Sequence, residues 1–142
     1  MIRQVSIFAE NKKGTMNTVT QVLADAGINM NTLITNDSAE FGIIRMLVSD
    51  AEKAGEALKA AGYLCHLDYV IAAEISDDCG SLNRLLKTVR DGNINIDYLY
   101  VTYSALSKLP VAILSAPDLM EVEEFLAAHG YHSLEGSELT RS

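Results

Sequence analysis

Residues 14–30 read GTMNTVTQVLADAGINM, and residues 80–96 read GSLNRLLKTVRDGNINI. At an offset of 66 the two segments share a glycine, an apolar stripe, an aspartate and an Ile-Asn pair. Farther along, LKAAGY at 58–63 returns as LAAHGY at 126–131, at an offset of 68. Self-similarity at a fixed period indicates a repeated structural unit, so the chain is predicted to contain two copies of a module of about 68 residues.

Composition and charge restrict the classes of function. The 142 residues carry a formal net charge of −8. A nucleic-acid partner is not expected, because binding a phosphate backbone requires a basic face. The longest apolar run, at 69–73, is too short to cross a bilayer, and the N-terminus lacks a signal-peptide pattern. Cys65 and Cys79 are too few for a disulfide framework. We therefore expect a cytoplasmic protein that does not bind membranes.

Alternation of apolar residues predicts four strands in each copy. The predicted ranges are 4–9, 30–36, 41–48 and 63–68 in the first copy, and 69–75, 96–103, 111–114 and 131–134 in the second. A turn is predicted at 37–40. No Pro, Gly or Ser cluster separates the copies, so no flexible linker is expected. The polar segment 137–142 is predicted to fray.

Two helices are predicted in each copy from apolar residues spaced three and four apart. Thr15 and Asp50 are the predicted caps of the first two helices, which end at Gly27 and Gly62. Pro117 suits the first turn of the last helix. The predicted buried positions are Met16, Val19, Leu23, Ala26, Ala54, Ala57, Leu58, Ala61, Leu82, Leu85, Leu86, Val89, Leu119, Val122 and Leu126.

The resulting element order, β-α-β-β-α-β in each copy, predicts an α+β fold of two ferredoxin-like modules. Right-handed crossovers place both helices on one face of a four-stranded antiparallel sheet. The predicted domains are residues 1–68 and 69–136, followed by a polar tail at 137–142. The strand at 41–48 is apolar on both sides, which indicates that a partner covers the open sheet face.

The segment FAENKKGTM at 8–16, followed by LADAGINM at 23–30, resembles the ACT domain. Its pattern is a strand, a polar loop with a glycine that enters the first helix, and a Gly-Ile-Asn entry to the second strand. The resemblance covers nearly the whole chain, once per copy. ACT domains bind amino acids in metabolic enzymes and regulators. The resemblance therefore implies a non-catalytic regulatory protein that binds a free amino acid, needs no cofactor, forms a homodimer and acts on a metabolic enzyme.

The resemblance also implies where the amino acid binds. In ligand-binding ACT proteins the effector lies at a junction between two modules, where the loop after the first strand of one module faces the second strand of the other. The candidate ligand-binding residues are Asn11, Gly14, Thr15, Met16, Asn29, Met30, Asp77, Cys79, Gly80, Ser81, Leu82, Asn95 and Ile96. Backbone N–H groups at a helix start suit a carboxylate, and an asparagine side chain offers both a donor and an acceptor. Asp77 adds a charge where Asn11 is neutral, so the copies need not bind equally.

Simpler interpretations compete with each of these assignments. The loop before each helix is also a helix cap, and Asp77 and Asp78 stabilise a helix start through its dipole. Asn29 and Asn95 also suit a hydrogen bond that holds the strand entry. A different function, an interaction subunit with vestigial ligand sites, fits the open sheet face equally well.

An enzyme or a metal protein has less support. An enzyme would rest on Cys79, Asp77 and His66, for which no base and orienting group are visible. A metal site is not expected, because Cys65 and His66 have no further ligands at workable spacing.

Overall fold

The computed structural model describes residues 1–35 and 40–141. Over this part of the chain six strands and five helices confirm the α+β class. Asn36 and residues 37–39 of the predicted turn lie outside the described residues. The elements are β1 (Ile2–Glu10), α1 (Thr15–Asp25), β2 (Met30–Thr35), β3 (Phe41–Val48), α2 (Ala51–Ala60), β4 (Leu64–Glu74), α3 (Ser81–Asp91), β5 (Tyr98–Tyr103), β6 (Pro110–Ser115), α4 (Leu119–Ala128) and α5 (Gly136–Leu139).

The chain divides into two compact units, and the division falls within β4. The first module consists of Arg3–Asp68 with the chain from Thr140 onward, and the second consists of Met1–Ile2 with Tyr69–Leu139. β4 continues through the division without a turn. The fourth strand of the first copy therefore leads directly into the first strand of the second, as the missing linker predicted.

The first module packs its two helices against one face of its sheet. β3 pairs antiparallel with β1 and with β2, and Ile7 lies opposite Ile44 in the β1–β3 register. Side chains alternate between the faces of a strand, so every second residue reaches the core. The buried core consists of Val5, Ile7, Ala9, Val19, Leu23, Ile28, Ile44, Met46, Val48, Ala54, Leu58 and Cys65.

The second module repeats this packing with one strand fewer. β6 pairs antiparallel with β4 and with β5. The strand predicted at 131–134 is wrong, because Ser133 forms only an isolated bridge with Ala73. This segment forms one further backbone hydrogen bond with β4, in which the Leu134 N–H donates to the Ala72 carbonyl at 2.8 Å. The buried core is Ile71, Ala73, Ile75, Leu85, Val89, Ala112, Leu114, Ala116, Val122 and Leu126.

The helices begin in two different ways, either at a left-handed glycine or at an aspartate whose side chain caps the helix. The N-cap of α1 is Gly14, at φ 89°, and no side chain caps the helix. The prediction that Thr15 caps this helix is therefore wrong, because the left-handed cap conformation favours glycine over a β-branched residue. α2 has the predicted Asp50 cap, which accepts the Lys53 N–H at 3.0 Å. In α4 Asp118 takes this role, so Pro117 precedes the helix and does not lie in its first turn.

The helix ends agree with the sequence, whereas the predicted buried faces are too wide. Gly27 and Gly62 have φ of 70° and 91°, and Asn93, at 54°, takes the same left-handed conformation in the second module. Leu86 is exposed because Leu85 and Val89 define the buried face of α3 and Leu86 lies beyond its edge. Ala61 is exposed as the C-cap of α2.

The end of the chain is more ordered than predicted. Residues 136–139 form α5, and Leu139 is fully buried. The Leu139 carbonyl accepts the Ala105 N–H at 2.9 Å, and the Glu138 carbonyl accepts the Ser104 hydroxyl at 2.9 Å. The prediction that 137–139 fray is therefore wrong, because one buried leucine and two hydrogen bonds hold them.

The N-terminal ammonium of the second module forms an ion pair whose strength depends on pH. Met1 N lies 2.8 Å from Glu123 Oε2. The hydrogen bond from this ammonium, aided by Ser133, lowers the pKa of Glu123. A lowered folded-state pKa stabilises the fold above the unfolded pKa of about 4.3, and this stabilisation is lost as pH falls through the folded value.

Glu123→Gln is therefore expected to lower the free energy of unfolding at neutral pH by up to about 1 kcal/mol, since the pair is partly exposed. Urea unfolding at neutral pH and at about pH 3 measures the effect, which should be smaller at the acidic pH because Glu123 takes up a proton as pH falls through its folded-state pKa. Glu124→Gln, at an exposed neighbouring position, is the control. An equal loss in both variants would contradict the ion pair.

Candidate functional site

Backbone hydrogen bonds hold the loop between β1 and α1 in place. The Asn11 N–H donates to the Glu40 carbonyl at 2.9 Å, and the Thr15 N–H donates to the Lys12 carbonyl at 3.3 Å. Gly14 then turns the chain into the helix through its left-handed conformation. The result is a fixed loop whose polar side chains point away from the module core.

The first turn of α1 has backbone N–H groups that no described residue accepts. The first N–H groups of a helix have no acceptor within the helix. Here the N–H groups of Met16 and Asn17 have no acceptor among the described residues, because the cap residue is a glycine. These donors and the positive end of the helix dipole make a suitable place for a carboxylate.

A cleft of about 150 Å³ lies beside this helix start. Its lining brings together Asn11, Thr15 and Met16, three of the residues predicted for the site. Met16, predicted to be buried, is 39% exposed here. The lining also includes residues that the sequence interpretation did not assign to the site: Ala9, Glu10, Lys12, Thr35, Gly42 and Ile44.

The rim of the cleft carries one charge of each sign. Lys12 Nζ lies 3.0 Å from Glu10 Oε2, and both side chains are more than half exposed. An exposed ion pair of this kind contributes less than about 1 kcal/mol, so either partner can turn to another charge at little cost. The arrangement therefore matches a zwitterion, which presents an ammonium and a carboxylate together.

The loop before α3 has the same backbone and different side chains. Gly80 is the N-cap of α3, at φ 88°, and again no side chain caps the helix. The N–H groups of Leu82 and Asn83 have no acceptor among the described residues. Asp77 and Cys79 are exposed on this loop, and the Cys79 thiol is free. Ser81, the first residue of the helix, is buried.

The predicted strand-two residues lie at the far end of each helix from these loops. α1 has 11 residues, so Asn29 and Met30 lie about 16 Å from the Gly14 loop at a rise of 1.5 Å per residue. Asn95 lies instead in a cleft of about 130 Å³ with Asn93 and the start of α4. The structure therefore does not bring the two predicted groups together within a single module.

Several of the predicted ligand-binding residues hold or pack the modules themselves. The Asn29 N–H donates to Ser49 Oγ at 3.0 Å, and its side-chain amide donates to the Arg141 carbonyl at 3.2 Å. Met30 packs against the first core, and Leu82 and Ile96 pack against the second. The strand-entry hydrogen bond is thus present at Asn29, and the apolar candidates contribute to packing.

Alternative chemistries find little support in the described part of the chain. No group of three or more His, Cys, Asp or Glu side chains there has an arrangement that suits a metal ion. No hydrogen bond joins the Cys79 thiol to a base within residues 1–35 and 40–141. Burial raises the pKa of the Cys65 thiol. No helix in those residues is both long and apolar enough to span a membrane.

Comparison with known proteins decides the family. Residues 1–115 match the model of a family described as an ACT domain pair. The chain belongs to this family. The Gly14 and Gly80 loops are thus the loops between the first strand and the first helix of two ACT modules. No curated protein matches the chain.

Solved structures extend the comparison to nearly the whole ACT domain pair. The protein BT0572 from Bacteroides thetaiotaomicron is similar at 30% identity and a TM-score of 0.89, over 99% of this chain and 96% of that one. The regulatory subunit of aspartate kinase from Thermus thermophilus is similar at 18% identity and a TM-score of 0.62, over 89% and 91%. The corresponding subunit from Thermus flavus gives 19% and 0.61, over 90% of each chain. At these lower identities the likeness concerns the fold.

Proposed function

We propose that this ACT domain pair is a non-catalytic regulatory protein that binds a free amino acid at the loop between β1 and α1. The observation that carries the proposal is the pair of N–H groups at Met16 and Asn17, which have no acceptor among the described residues, beside a cleft rimmed by Glu10 and Lys12. The N–H groups suit the α-carboxylate, which Lys12 reinforces, and Glu10 suits the α-ammonium. Asn11 supplies a further donor and acceptor.

The size and lining of the cleft agree with a small ligand. Its volume of about 150 Å³ lies below the range of about 300–1,000 Å³ found for pockets of drug-sized ligands. Ala9, Met16 and Ile44 give one side an apolar wall. Asn29, Met30, Asn95 and Ile96 contact the same ligand only if another module supplies them, as the family resemblance implies.

The regulatory part of the proposal rests on the family and on the fold shared with regulatory subunits of aspartate kinase. We propose that the output passes to a separate metabolic enzyme and that the chain acts as a homodimer in the cytoplasm. An amino acid can shift such a system only through a difference in its affinity for two arrangements of the protein.

Calorimetric titration with each common L-amino acid, up to millimolar concentration, tests the proposal. We expect saturable binding of at least one amino acid, and weaker binding of its decarboxylated analogue, which lacks the group that the N–H donors bind. Absence of binding across the panel would contradict the proposal. Equal binding of the decarboxylated analogue would contradict the assigned carboxylate site.

A second candidate function, an interaction subunit with vestigial ligand sites, is favoured by one surface of the first module. The rings of Phe8 and Phe41 stack at a centroid distance of 5.3 Å and an interplanar angle of 8°. Both rings remain more than two-fifths exposed. Aromatic side chains are enriched in protein interfaces. Recovery of the same enzyme partner with and without amino acids, and its loss in Phe8→Ser, would favour this function.

A further inference from the structure

The two loops differ in a contact that only the second one makes. Arg84, in the first turns of α3, reaches back across its own loop. Its Nη2 donates to both carboxylate oxygens of Asp78, at 2.9 and 2.8 Å, and to Ser76 Oγ at 3.2 Å. Its Nη1 donates to the Cys79 carbonyl at 3.4 Å. One guanidinium thus ties three residues of the loop together, and the Ser76 hydroxyl donates to Asp78 as well.

The guanidinium also fills the space above the helix start. A Cβ added to Gly80 would lie 3.5 Å from Arg84 Nη1, whereas a Cβ added to Gly14 would meet nothing within 4 Å. The backbone is the same at both positions, with φ of 88° and 89°. As far as the described residues show, the approach to the N–H groups is therefore open in the first module and partly occupied in the second.

The repeat shows that this difference comes from three substitutions. At the offset of 66, Arg84 corresponds to Thr18, Asp78 to Lys12 and Ser76 to Glu10. Thr18 is too short to cross the loop, and its hydroxyl donates to the Gly14 carbonyl at 3.0 Å. In the first module the loop pair is Glu10 and Lys12, which lies at the rim of the cleft.

We propose that Arg84 closes the Gly80 loop on Asp78, so that the chain binds one amino acid, at the Gly14 loop. This inference rests on the proposed function. The Arg84–Asp78 pair is about half exposed, but Arg84 also holds Ser76 Oγ and the Cys79 carbonyl, so it belongs to a network and is not an isolated pair. A carboxylate that approaches α3 must break this network, and it meets the charges of both Asp77 and Asp78. Affinity at the Gly80 loop is expected to be at least tenfold lower than at the Gly14 loop. The replacement of Glu10, Lys12 and Thr18 by Ser76, Asp78 and Arg84 therefore makes the two modules unequal.

The test compares the natural chain with a loop variant that combines Ser76→Glu, Asp77→Asn, Asp78→Lys and Arg84→Thr, which restores the residues of the first module at these four positions. Each common L-amino acid is titrated calorimetrically at neutral pH. We expect one bound amino acid per chain in the natural protein and two in the loop variant. Arg90→Ala is the control, because Arg90 lies on the same helix and forms an exposed pair with Asp91 at 3.1 Å. Two equal sites in the natural chain, or one site in the loop variant, would overturn the inference.

A second measurement needs no ligand and separates this inference from the proposed function. Hydrogen bonds from Ser76 and from Arg84 hold the pKa of Asp78 below its ordinary value. NMR titration of the Asp78 carboxyl should show this lowered pKa, a higher one in Arg84→Thr and no change in Arg90→Ala. If no amino acid binds, the proposed function fails, and this titration still decides the closure. An Asp78 pKa that is unchanged in Arg84→Thr would show that the loop is not closed.

Discussion

Gly14→Ala is expected to weaken amino-acid binding at least tenfold and to lower the free energy of unfolding by about 1–2 kcal/mol. The stability loss follows from the left-handed conformation at φ 89°, where a Cβ approaches the following carbonyl oxygen. The binding loss has a separate cause. The added methyl group meets no atom of the described residues within 4 Å, so it extends into the space from which a carboxylate would approach the N–H groups of Met16 and Asn17.

Gly62→Ala separates the two effects. Gly62 has φ 91°, and a methyl group added there would also meet nothing within 4 Å. It follows the end of α2 and is not one of the residues that line the cleft. This variant should lose a similar amount of stability and keep its affinity. Thermal unfolding and calorimetric titration of both variants provide the comparison. If the two variants lose affinity equally, binding responds to general destabilisation, and the Gly14 loop is not the site.

Gly92→Ala is expected to lower the free energy of unfolding by about 1–3 kcal/mol, the usual cost of overpacking a well-packed position. A Cβ at residue 92 would lie only 2.3 Å from the Phe125 ring, so this ring must leave its place. The backbone itself tolerates alanine, since φ is −81°. Gly136→Ala, where a Cβ would meet nothing within 4 Å, is the control in urea unfolding.

The internal repeat indicates a second substitution that should restore stability to Gly92→Ala. Residues 92 and 125 correspond to Ala26 and Ala57, at the offsets of 66 and 68. Gly92→Ala combined with Phe125→Ala reproduces the pair of the first module. The double variant should be less destabilised than the sum of the two single losses, because the alanine no longer meets a ring. Additive losses would show that the ring and residue 92 do not interact.

Much of the fold was predictable because the repeat aligned two independent copies of each signal. Gly14 and Gly80 mark both helix starts, and the ends at Gly27 and Asn93 confirm that asparagine replaces glycine at a left-handed position. The strand predicted at 131–134 is wrong because four residues carry too little alternation to distinguish a strand from a single bridge. The burial of Leu139 was hidden by its polar neighbours.

The candidate site was less predictable than the fold. Asn11, Thr15 and Met16 followed from the resemblance to the ACT domain, and the lining of the cleft includes all three. The participation of Glu10 and Lys12 could not be inferred, because exposed charges on a loop usually face solvent. The path of Arg84 across its loop depends on side-chain torsions that a helical pattern does not determine. Spacing along a helix indicates a face and leaves the reach of a long side chain open.

The contact between Gly92 and the Phe125 ring also constrains how the two halves of the chain diverged. A pair of alanines, as in the first half, cannot become glycine and phenylalanine in either order at equal cost. Gaining the ring first would place it against a methyl group, so a route without this clash passes through glycine at residue 92 beside a small side chain. An aromatic ring at residue 125 therefore requires glycine at residue 92, and the two positions are expected to change together between copies of the module.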